Sequence, residues 1–260
     1  PLTEEFSLQD GTVVQYFAAW LLGAVVVPVN TGEDDKRISY IIANSCAKFA
    51  FVRTQYIERI RHLRANTPLL ETIMEVGHDV SGTFPSFHTE LDLSDPAFEP
   101  PEEAQLADDA LIVYTSGTTG LPKGVVLDQY NLLVDAQEIA AWHGMDASQR
   151  VMCVLPLHHV NGTVVTLLTP LSFGGSVVLN QKFHTGSFFQ RIADEKVQVV
   201  SVVPTLLQYL LHEDVDISQL DLADFRHIIC GAGPLTCELA ARFEERYGIP
   251  IVHGYGLSET

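Results

Sequence analysis

Residues that could bind phosphate are concentrated between Tyr114 and Gly124, in the segment Tyr-Thr-Ser-Gly-Thr-Thr-Gly-Leu-Pro-Lys-Gly. Its small residues let a backbone approach a ligand closely and point successive N–H groups at one anion. The hydroxyl side chains add donors, and Lys123 adds a mobile positive charge. This combination suits a triphosphate. A flexible linker would not need the fixed Pro-Lys-Gly order at the end of the segment.

A Walker A loop is a poor match for the same segment. That motif needs Gly-Lys-Ser/Thr at the start of a helix. Here Lys123 is followed by Gly124 and then by the apolar residues 125–127, which predict a strand. Kinase-like and GTPase-like functions are therefore disfavoured.

Two more polar segments follow predicted strands. Residues 156–162 read Pro-Leu-His-His-Val-Asn-Gly, and residues 253–260 read His-Gly-Tyr-Gly-Leu-Ser-Glu-Thr. A lone histidine usually lies at the surface or in the core, whereas two adjacent histidines after a buried strand make a functional role about as credible as a structural one. The glycines that flank Tyr255 leave its ring faces open, which favours stacking on a ligand over packing in the core.

Strands and helices are predicted to alternate along most of the chain. Alternation of this kind is typical of parallel, right-handed βαβ units. The predicted fold class is α/β, with layered parallel-sheet subdomains and helices on both faces, divided near residue 100 into portions 1–100 and 101–260. Residues 79–109 predict a surface connection, because they combine prolines, acids and a Ser-Gly pair. Strands are predicted at 24–29, 49–52, 71–76, 110–115, 125–127, 151–157, 176–179, 197–203, 228–230 and 251–254, and helices at 9–23, 38–45, 56–66, 129–142, 164–173, 185–196, from 204, and at 236–247.

Composition limits the classes of protein that the sequence could encode. Of 260 residues, 47% are hydrophobic, which allows a sizeable core, and the net charge of -18 disfavours nucleic acid as a partner. No apolar run is long enough to span a membrane, and the acidic start is unlike a signal peptide. Four cysteines without a CxxC spacing predict buried free thiols. These features together predict a cytoplasmic protein.

These three polar segments and the glycine-containing residues 231–235 resemble the motifs of the adenylate-forming superfamily, which includes acyl-CoA synthetases, firefly-type luciferases and nonribosomal-peptide adenylation domains. Residues 114–124 resemble its phosphate-binding signature and residues 231–235 its adenine-side loop. Residues 156–162 resemble the acyl-pocket motif PLFHxxG, with His158 in place of the aromatic residue. Residues 253–260 resemble the QGYGxTE block, with His253 for glutamine and Ser258 for threonine. Four blocks in the family's order indicate an acyl- or aryl-CoA ligase.

The resemblance implies a reaction in two steps and a role for each motif residue. A carboxylate attacks ATP and expels pyrophosphate, and the thiol of coenzyme A then attacks the acyl-adenylate. His159, Ser258 and Glu259 are implied as catalytic, with Glu259 as the Mg²⁺ ligand, while His159, Asn161 and Gly231 contact the acid. Cofactor contacts are implied for Thr115, Ser116, Gly117, Thr118, Thr119, Gly120 and Lys123 at the phosphates, for Gly231, Ala232, Gly233, His253, Gly254 and Tyr255 around adenosine, and for Lys182 at a phosphate of coenzyme A.

The resemblance also implies that these residues form only part of an enzyme, a partial N-terminal AMP-binding domain. Family members carry a ribose-binding aspartate, a hinge and a small C-terminal domain with a catalytic lysine, and none of these is found in the 260 residues. Two alternatives stay open: an adenylation domain that loads a carrier protein, and a non-catalytic nucleotide-binding fragment. The first is disfavoured because residues 158–161 lack the acid that would hold an amino group. The identity of the carboxylic acid, aliphatic or aromatic, is not fixed by these motifs.

Overall fold

The computed structural model describes residues 8–77, 79–99, 104–115 and 120–259. Backbone contacts divide the chain into two compact units, Pro1–Asp128 and Gln129–Thr260. The boundary between the units lies directly after Asp128, whereas the sequence predicts a boundary near residue 100. Among the described residues, no helix combines the length and apolar character needed to cross a membrane.

The first unit contains two small sheets. Strands β1 and β2 pair in parallel, and strands β3 and β4 pair antiparallel. The indole N–H of Trp20 donates to the Ala110 carbonyl at 2.8 Å and ties the first helix to β3. The helices are α1 (Leu8–Leu21), α2 (Asp35–Asn44), α3 (Ile57–Leu63, with single 3₁₀ turns before and after it) and α4 (Phe87–Leu93), and the strands are β1 (Phe49–Arg53), β2 (Thr72–Val76), β3 (Asp109–Thr115) and β4 (Lys123–Asp128).

One prediction in this unit is wrong, and another is incomplete. Residues 24–29 form no strand, only an isolated bridge between Val26 and Leu111. Pro28 explains this outcome, since it has no N–H to extend a ladder. The connection predicted at residues 79–109 contains α4, whose amino end is capped by the Ser86 hydroxyl accepting the Thr89 N–H.

The second unit is built on a five-stranded parallel sheet with the order β6-β5-β7-β8-β9. The predicted α/β class is confirmed. The exception to parallel pairing is the β3–β4 pair of the first unit, which is antiparallel because the short loop between the two strands cannot make a parallel crossover. The strands are β5 (Arg150–Cys153), β6 (Ser176–Leu179), β7 (Val199–Val202), β8 (His227–Cys230) and β9 (Ile251–His253), and the helices are α5 (Gln129–Trp142), a π-helix (Asn161–Leu168), α6 (Thr169–Ser172), α7 (Thr185–Asp194), α8 (Pro204–Glu213) and α9 (Cys237–Tyr247).

Both faces of the five-stranded sheet are buried, as predicted. Alternate strand residues such as Met152, Val200 and Ile228 join a core with Phe189 of α7 and Phe243 of α9. The residues between them point the other way, and there Val151, Val199 and Ile229 pack with Val165 of the π-helix. This alternation follows from the two-residue period of a strand.

The π-helix replaces the predicted α-helix at residues 164–173. Pro170 cannot donate to the Thr166 carbonyl, and its ring would crowd that carbonyl in an α-helix. The chain instead winds wider up to Leu168, and Pro170 falls in the first turn of α6, where its missing N–H costs little. The Thr169 hydroxyl donates to the Val164 carbonyl at 2.9 Å within this segment.

All four cysteines are free thiols, as predicted, but only two of them are buried. Cys153 and Cys230 lie in strands of the core, whereas Cys46 and Cys237 are exposed. Burial raises the pKa of Cys230 to about 11. The two buried thiols therefore act as small apolar residues in the sheet.

Two histidines stack at the amino end of β8. The rings of His143 and His227 are 5.0 Å apart and nearly parallel, and Nδ1 of His143 is 3.0 Å from Nε2 of His227. Arg226 donates to the carbonyls of His143 and Gly144. Burial first, and then the proximity of His143 and Arg226, lower the pKa of His227 to about 4.

The stability of the fold should therefore decrease as the pH falls from about 6.5 towards 4. In this window the unfolded chain binds a proton at His227 that the folded chain excludes, so acid favours unfolding. We expect a loss on the order of 1 kcal/mol between about pH 7 and pH 5, measured by urea unfolding, and a smaller loss for His227→Phe. The exposed His212→Asn variant is the control. An unchanged pH dependence in His227→Phe would contradict the assignment.

Candidate functional site

Most of the predicted site residues of the second unit lie at the carboxyl edge of its sheet. His159 and Asn161 follow β5, the Gly231–Ala232–Gly233 turn follows β8, and residues 253–259 end β9 and continue beyond it. Strands β5, β7, β8 and β9 are consecutive neighbours in this sheet. Ligands of open parallel sheets bind outside this edge.

The ladders that β8 forms with β7 and β9 continue past the strands into the two glycine segments. The Gly254 N–H donates to the Cys230 carbonyl at 2.9 Å, and the Gly231 N–H donates to the Val202 carbonyl at 3.1 Å. A Cβ on Gly231 would lie 3.0 Å from the Gly254 carbonyl oxygen. The absence of a side chain at Gly231 therefore lets the adenine-side loop and the residues after β9 meet backbone to backbone.

The turn after β8 is held in an uncommon conformation. Ala232 has a φ of 56°, a left-handed backbone that non-glycine residues seldom adopt. A Cβ on Gly233 would lie 3.3 Å from the Pro204 ring, so this residue also packs closely. Backbone strain of this kind is concentrated at binding sites in proteins. The turn leads into α9, where the Thr236 hydroxyl accepts the Leu239 N–H.

The segment after β9 is open to solvent. Tyr255 is 88% exposed between its two flanking glycines, which excludes the alternative that its ring belongs to the core. His253 and Glu259 are exposed as well, and Ser258 is partly exposed. An aromatic face, a hydroxyl and a carboxylate are thus presented along one short stretch.

The acyl-pocket motif forms a compact turn between β5 and the π-helix. The His159 N–H donates to the Pro156 carbonyl, and the Thr163 hydroxyl donates to the Leu157 carbonyl at 2.6 Å. A Cβ on Gly162 would lie 2.2 Å from the Pro156 carbonyl oxygen, so only glycine fits there.

The two histidines of this turn are in contact, with ring centroids 4.4 Å apart. His159 is exposed, yet the surrounding chain displaces enough water from its ring to lower its pKa below the ordinary value. The His159 ring is therefore mostly neutral at about pH 7 and can both donate and accept a hydrogen bond.

Asn161 is the first residue of the π-helix and has a partner that the motifs do not predict. Its side-chain oxygen Oδ1 accepts the hydroxyl of Ser201 at 2.7 Å, and Ser201 is fully buried in β7. The sequence did contain a signal that Ser201 has a polar partner, because this serine lies within the apolar run 199–203 and a buried hydroxyl needs a hydrogen bond. Segments of π-helix are themselves frequent at functional sites.

The phosphate loop belongs to the first unit, at the closed end of the β3–β4 hairpin. Thr115 ends β3 and pairs with the exposed Lys123 at the start of β4. Gly120 has a φ of 106°, which L side chains rarely adopt, so the loop needs glycine there. The other predicted loop residues lie outside the described part of the chain; they are Ser116, Gly117, Thr118 and Thr119.

Two predicted contacts rest on exposed single side chains. Lys182 lies in the loop after β6, the edge strand. Glu259 is a lone carboxylate, and the described residues contain no group of three His, Cys, Asp or Glu side chains that could hold a metal by themselves. A lone carboxylate is compatible with Mg²⁺, which proteins commonly bind through one or two carboxylates together with phosphate and water oxygens.

The AMP-binding enzyme family matches residues 11–260. The chain belongs to this family. The AMP-binding chain is 33% identical over 242 residues to sulfoacetate–CoA ligase of Cupriavidus necator, across 92% of its own length and 45% of the ligase. It is 30% identical over 245 residues to feruloyl-CoA synthase of an Amycolatopsis species, across 94% and 46% respectively. The chain thus spans about half the length of the curated relatives that it matches.

Solved structures agree with the fold of the AMP-binding chain. The anthranilate CoA ligase AuaEII, in complex with anthranoyl-AMP, superimposes with a TM-score of 0.85 at 25% identity, over 95% of this chain and 48% of that one. ATP-bound MatB from Rhodopseudomonas palustris superimposes with a TM-score of 0.82 at 24% identity, over 96% and 48%.

Replacing Gly162 should damage the acyl-pocket turn of the AMP-binding chain. In Gly162→Ala, the new methyl group would collide with the Pro156 carbonyl, and overpacking of this kind typically costs about 1–3 kcal/mol or more. Gly186→Ala in α7 is the matched control, because its Cβ would meet nothing within 4 Å. Urea unfolding of both variants measures the difference. Equal stabilities would show that the turn yields to the methyl group.

Proposed function

We propose that the protein is a carboxylic acid:CoA ligase. It uses ATP to convert the acid into an acyl-adenylate with release of pyrophosphate, and then transfers the acyl group to the thiol of coenzyme A. The observation that carries this proposal is the carboxyl edge of the parallel sheet, where the acyl-pocket turn follows β5, the adenine-side turn follows β8 and the Tyr255–Glu259 stretch follows β9. The similarity to proteins named as CoA ligases supports the same activity.

The residues around Gly231 suit the adenosine part of a nucleotide. Gly231 and Gly254 meet with no side chain between them, which leaves a backbone surface for a flat base. The exposed ring of Tyr255 stacks on adenine, while His253, Ala232 and Gly233 line the same pocket. The acid lies against His159, Asn161 and Gly231.

Phosphate binding depends on local donors, because the net charge of the chain is -18. Lys123, together with the loop at residues 115–120, holds the β- and γ-phosphates, and the Ser258 hydroxyl donates to the α-phosphate. Glu259 holds Mg²⁺, which neutralises phosphate charge when it is bound. Both half-reactions then depend chiefly on positioning and on charge stabilisation.

Coenzyme A is the acceptor in this proposal, and Lys182 contacts one of its phosphates. The turn at residues 158–161 carries no acid to hold an amino group, which favours a simple carboxylic acid over an amino acid loaded onto a carrier protein. The acidic surface disfavours nucleic acid as a partner. Free thiols throughout the chain favour a cytoplasmic location.

Loss of the charge on Lys123 should weaken the use of ATP. A charge-assisted contact contributes about 1.5–3 kcal/mol, so Lys123→Ala should lower kcat/KM for ATP roughly 10- to 100-fold. ATP–pyrophosphate exchange by the complete gene product measures this effect. Lys36→Ala, on the exposed face of α2, is the control and should retain the parent rate. Exchange that is insensitive to Lys123→Ala would overturn the assignment of the phosphate loop.

Loss of the charge on Glu259 should instead change the dependence on metal. Glu259→Gln should raise the Mg²⁺ concentration for half-maximal exchange by roughly tenfold or more, since even an outer partner of a metal site contributes roughly 10- to 100-fold. Because Glu259 is exposed, the free energy of unfolding should not change. Glu245→Gln on α9 removes the same charge from an exposed position and should leave the Mg²⁺ titration unchanged. Identical titrations for both variants would assign the ion to another group.

A further inference from the structure

The pair formed by Ser201 and Asn161 joins the interior of the sheet to the acyl-pocket turn. Ser201 is fully buried in β7, where its strand neighbours are valines, and its hydroxyl lies 2.7 Å from Oδ1 of Asn161. A hydroxyl without a partner in this interior would be costly. Asn161 therefore supplies the hydrogen-bond acceptor that offsets the cost of burying the Ser201 hydroxyl in the core.

The same bond fixes the orientation of the Asn161 amide. With Oδ1 turned inward to accept from Ser201, the Nδ2 group points away from the buried hydroxyl. The opposite orientation would make Nδ2 the donor and require another acceptor for the Ser201 proton.

The outward Nδ2 group is available to a ligand. Within the described residues it has no hydrogen-bond partner of its own. It is also not sealed in the core, because the buried side-chain atoms without a partner in the described part of the chain belong to Gln15, Thr54 and Gln149. Asn161 is partly exposed and opens the π-helix directly after His158 and His159.

We infer that Asn161, held by Ser201, donates a hydrogen bond to a second oxygen on the acid, so that the substrate is a carboxylic acid whose chain carries an oxygen acceptor in addition to the reacting carboxylate. Ser201 is then a positioning residue that acts through Asn161. This inference rests on the proposed ligase function. It narrows the substrate class, because an acid with a plain hydrocarbon chain would leave the Nδ2 group without a partner.

The Nδ2 group of Asn161 is better suited to a neutral oxygen of the substrate than to a second anionic group. The turn at residues 156–162 contains no lysine or arginine, and the net charge of the whole chain is -18. A desolvated anion needs a paired charge, whereas an amide N–H satisfies an ether, hydroxyl or carbonyl oxygen. Selection for the oxygen therefore depends on hydrogen bonding, and we expect it to be moderate.

The test compares two acids of equal length, 3-methoxypropionate and pentanoate, which differ by one oxygen in place of a methylene. Acid-dependent ATP–pyrophosphate exchange by the complete gene product should give a kcat/KM for the ether acid that is higher, relative to pentanoate, by roughly 3- to 10-fold. Asn161→Leu and Ser201→Ala should each bring this ratio close to one by raising KM for the ether acid. Succinate in the same assay provides the anionic arm, and a preference for it over the ether acid would overturn the neutral assignment.

Thr166→Val is the matched control for loss of a buried hydroxyl. Thr166 is fully buried in the π-helix, and its hydroxyl donates to the Gly162 carbonyl of its own helix at 2.8 Å. This variant should resemble Ser201→Ala in stability but keep the parent selectivity. If Thr166→Val lowers the ratio as much as Ser201→Ala does, the effect is structural and the positioning role is wrong.

Failure of the two proposals can be told apart. If the parent protein exchanges pyrophosphate with several acids but shows no preference for the ether acid, the inference about Asn161 is wrong and the ligase function stands. If no acid supports exchange, the ligase function is wrong and the inference is lost with it.

Discussion

Parallel pairing of the five strands is the constraint on which the rest of the second unit depends. Each strand in such a sheet points the same way, so the segments that follow β5, β7, β8 and β9 leave the sheet at one edge. The core holds this arrangement from both sides, through α7, α8 and α9 on one face and the π-helix on the other. Polar segments that are far apart in the sequence are thereby brought to one edge without any direct bond between most of them.

Close approach of backbone to backbone gives the edge its finer geometry. Gly162 lies so close to the Pro156 carbonyl that a methyl group has no room, and Gly231 lies close enough to the Gly254 carbonyl that a methyl group would make a tight contact. These contacts hold each loop against the element beside it, while the side chains that would touch a ligand stay exposed or partly exposed. Rigid loops with open side chains are what a reaction that depends on positioning requires.

Hydrogen bonding from the interior adds a further level of control. Ser201 has no route to a ligand, yet it sets the direction in which the Asn161 amide faces. The wide winding of the π-helix accompanies this contact and is consistent with Pro170, which would crowd the chain of an α-helix. The buried hydroxyl of Ser201 and the ring of Pro170 thus help to determine which groups of the acyl-pocket turn face outward.

Several elements could be read from the sequence alone because their signals are local. Helix α5 and strand β6 begin and end at the predicted residues, since runs of suitable periodicity are bounded there by polar or glycine residues. The polar motifs also predicted most of the candidate site residues, because their residue types indicate their chemistry directly. The helix α4 was missed, although its Ser86 cap was visible, because prolines and acids around it resemble a loop.

Only the tertiary structure decided how these signals combine. Residues 24–29 form only the bridge at Val26 and no strand, because Pro28 has no N–H with which to continue the pairing with β3. The contact between Ser201 and Asn161 spans 40 positions of the chain, and no local pattern predicts such a pair. The low pKa of His227 likewise requires burial of its ring and the approach of His143, which is 84 positions away in the chain. Residue types specify the chemistry that is available, whereas burial and long-range contacts determine which atoms can use it.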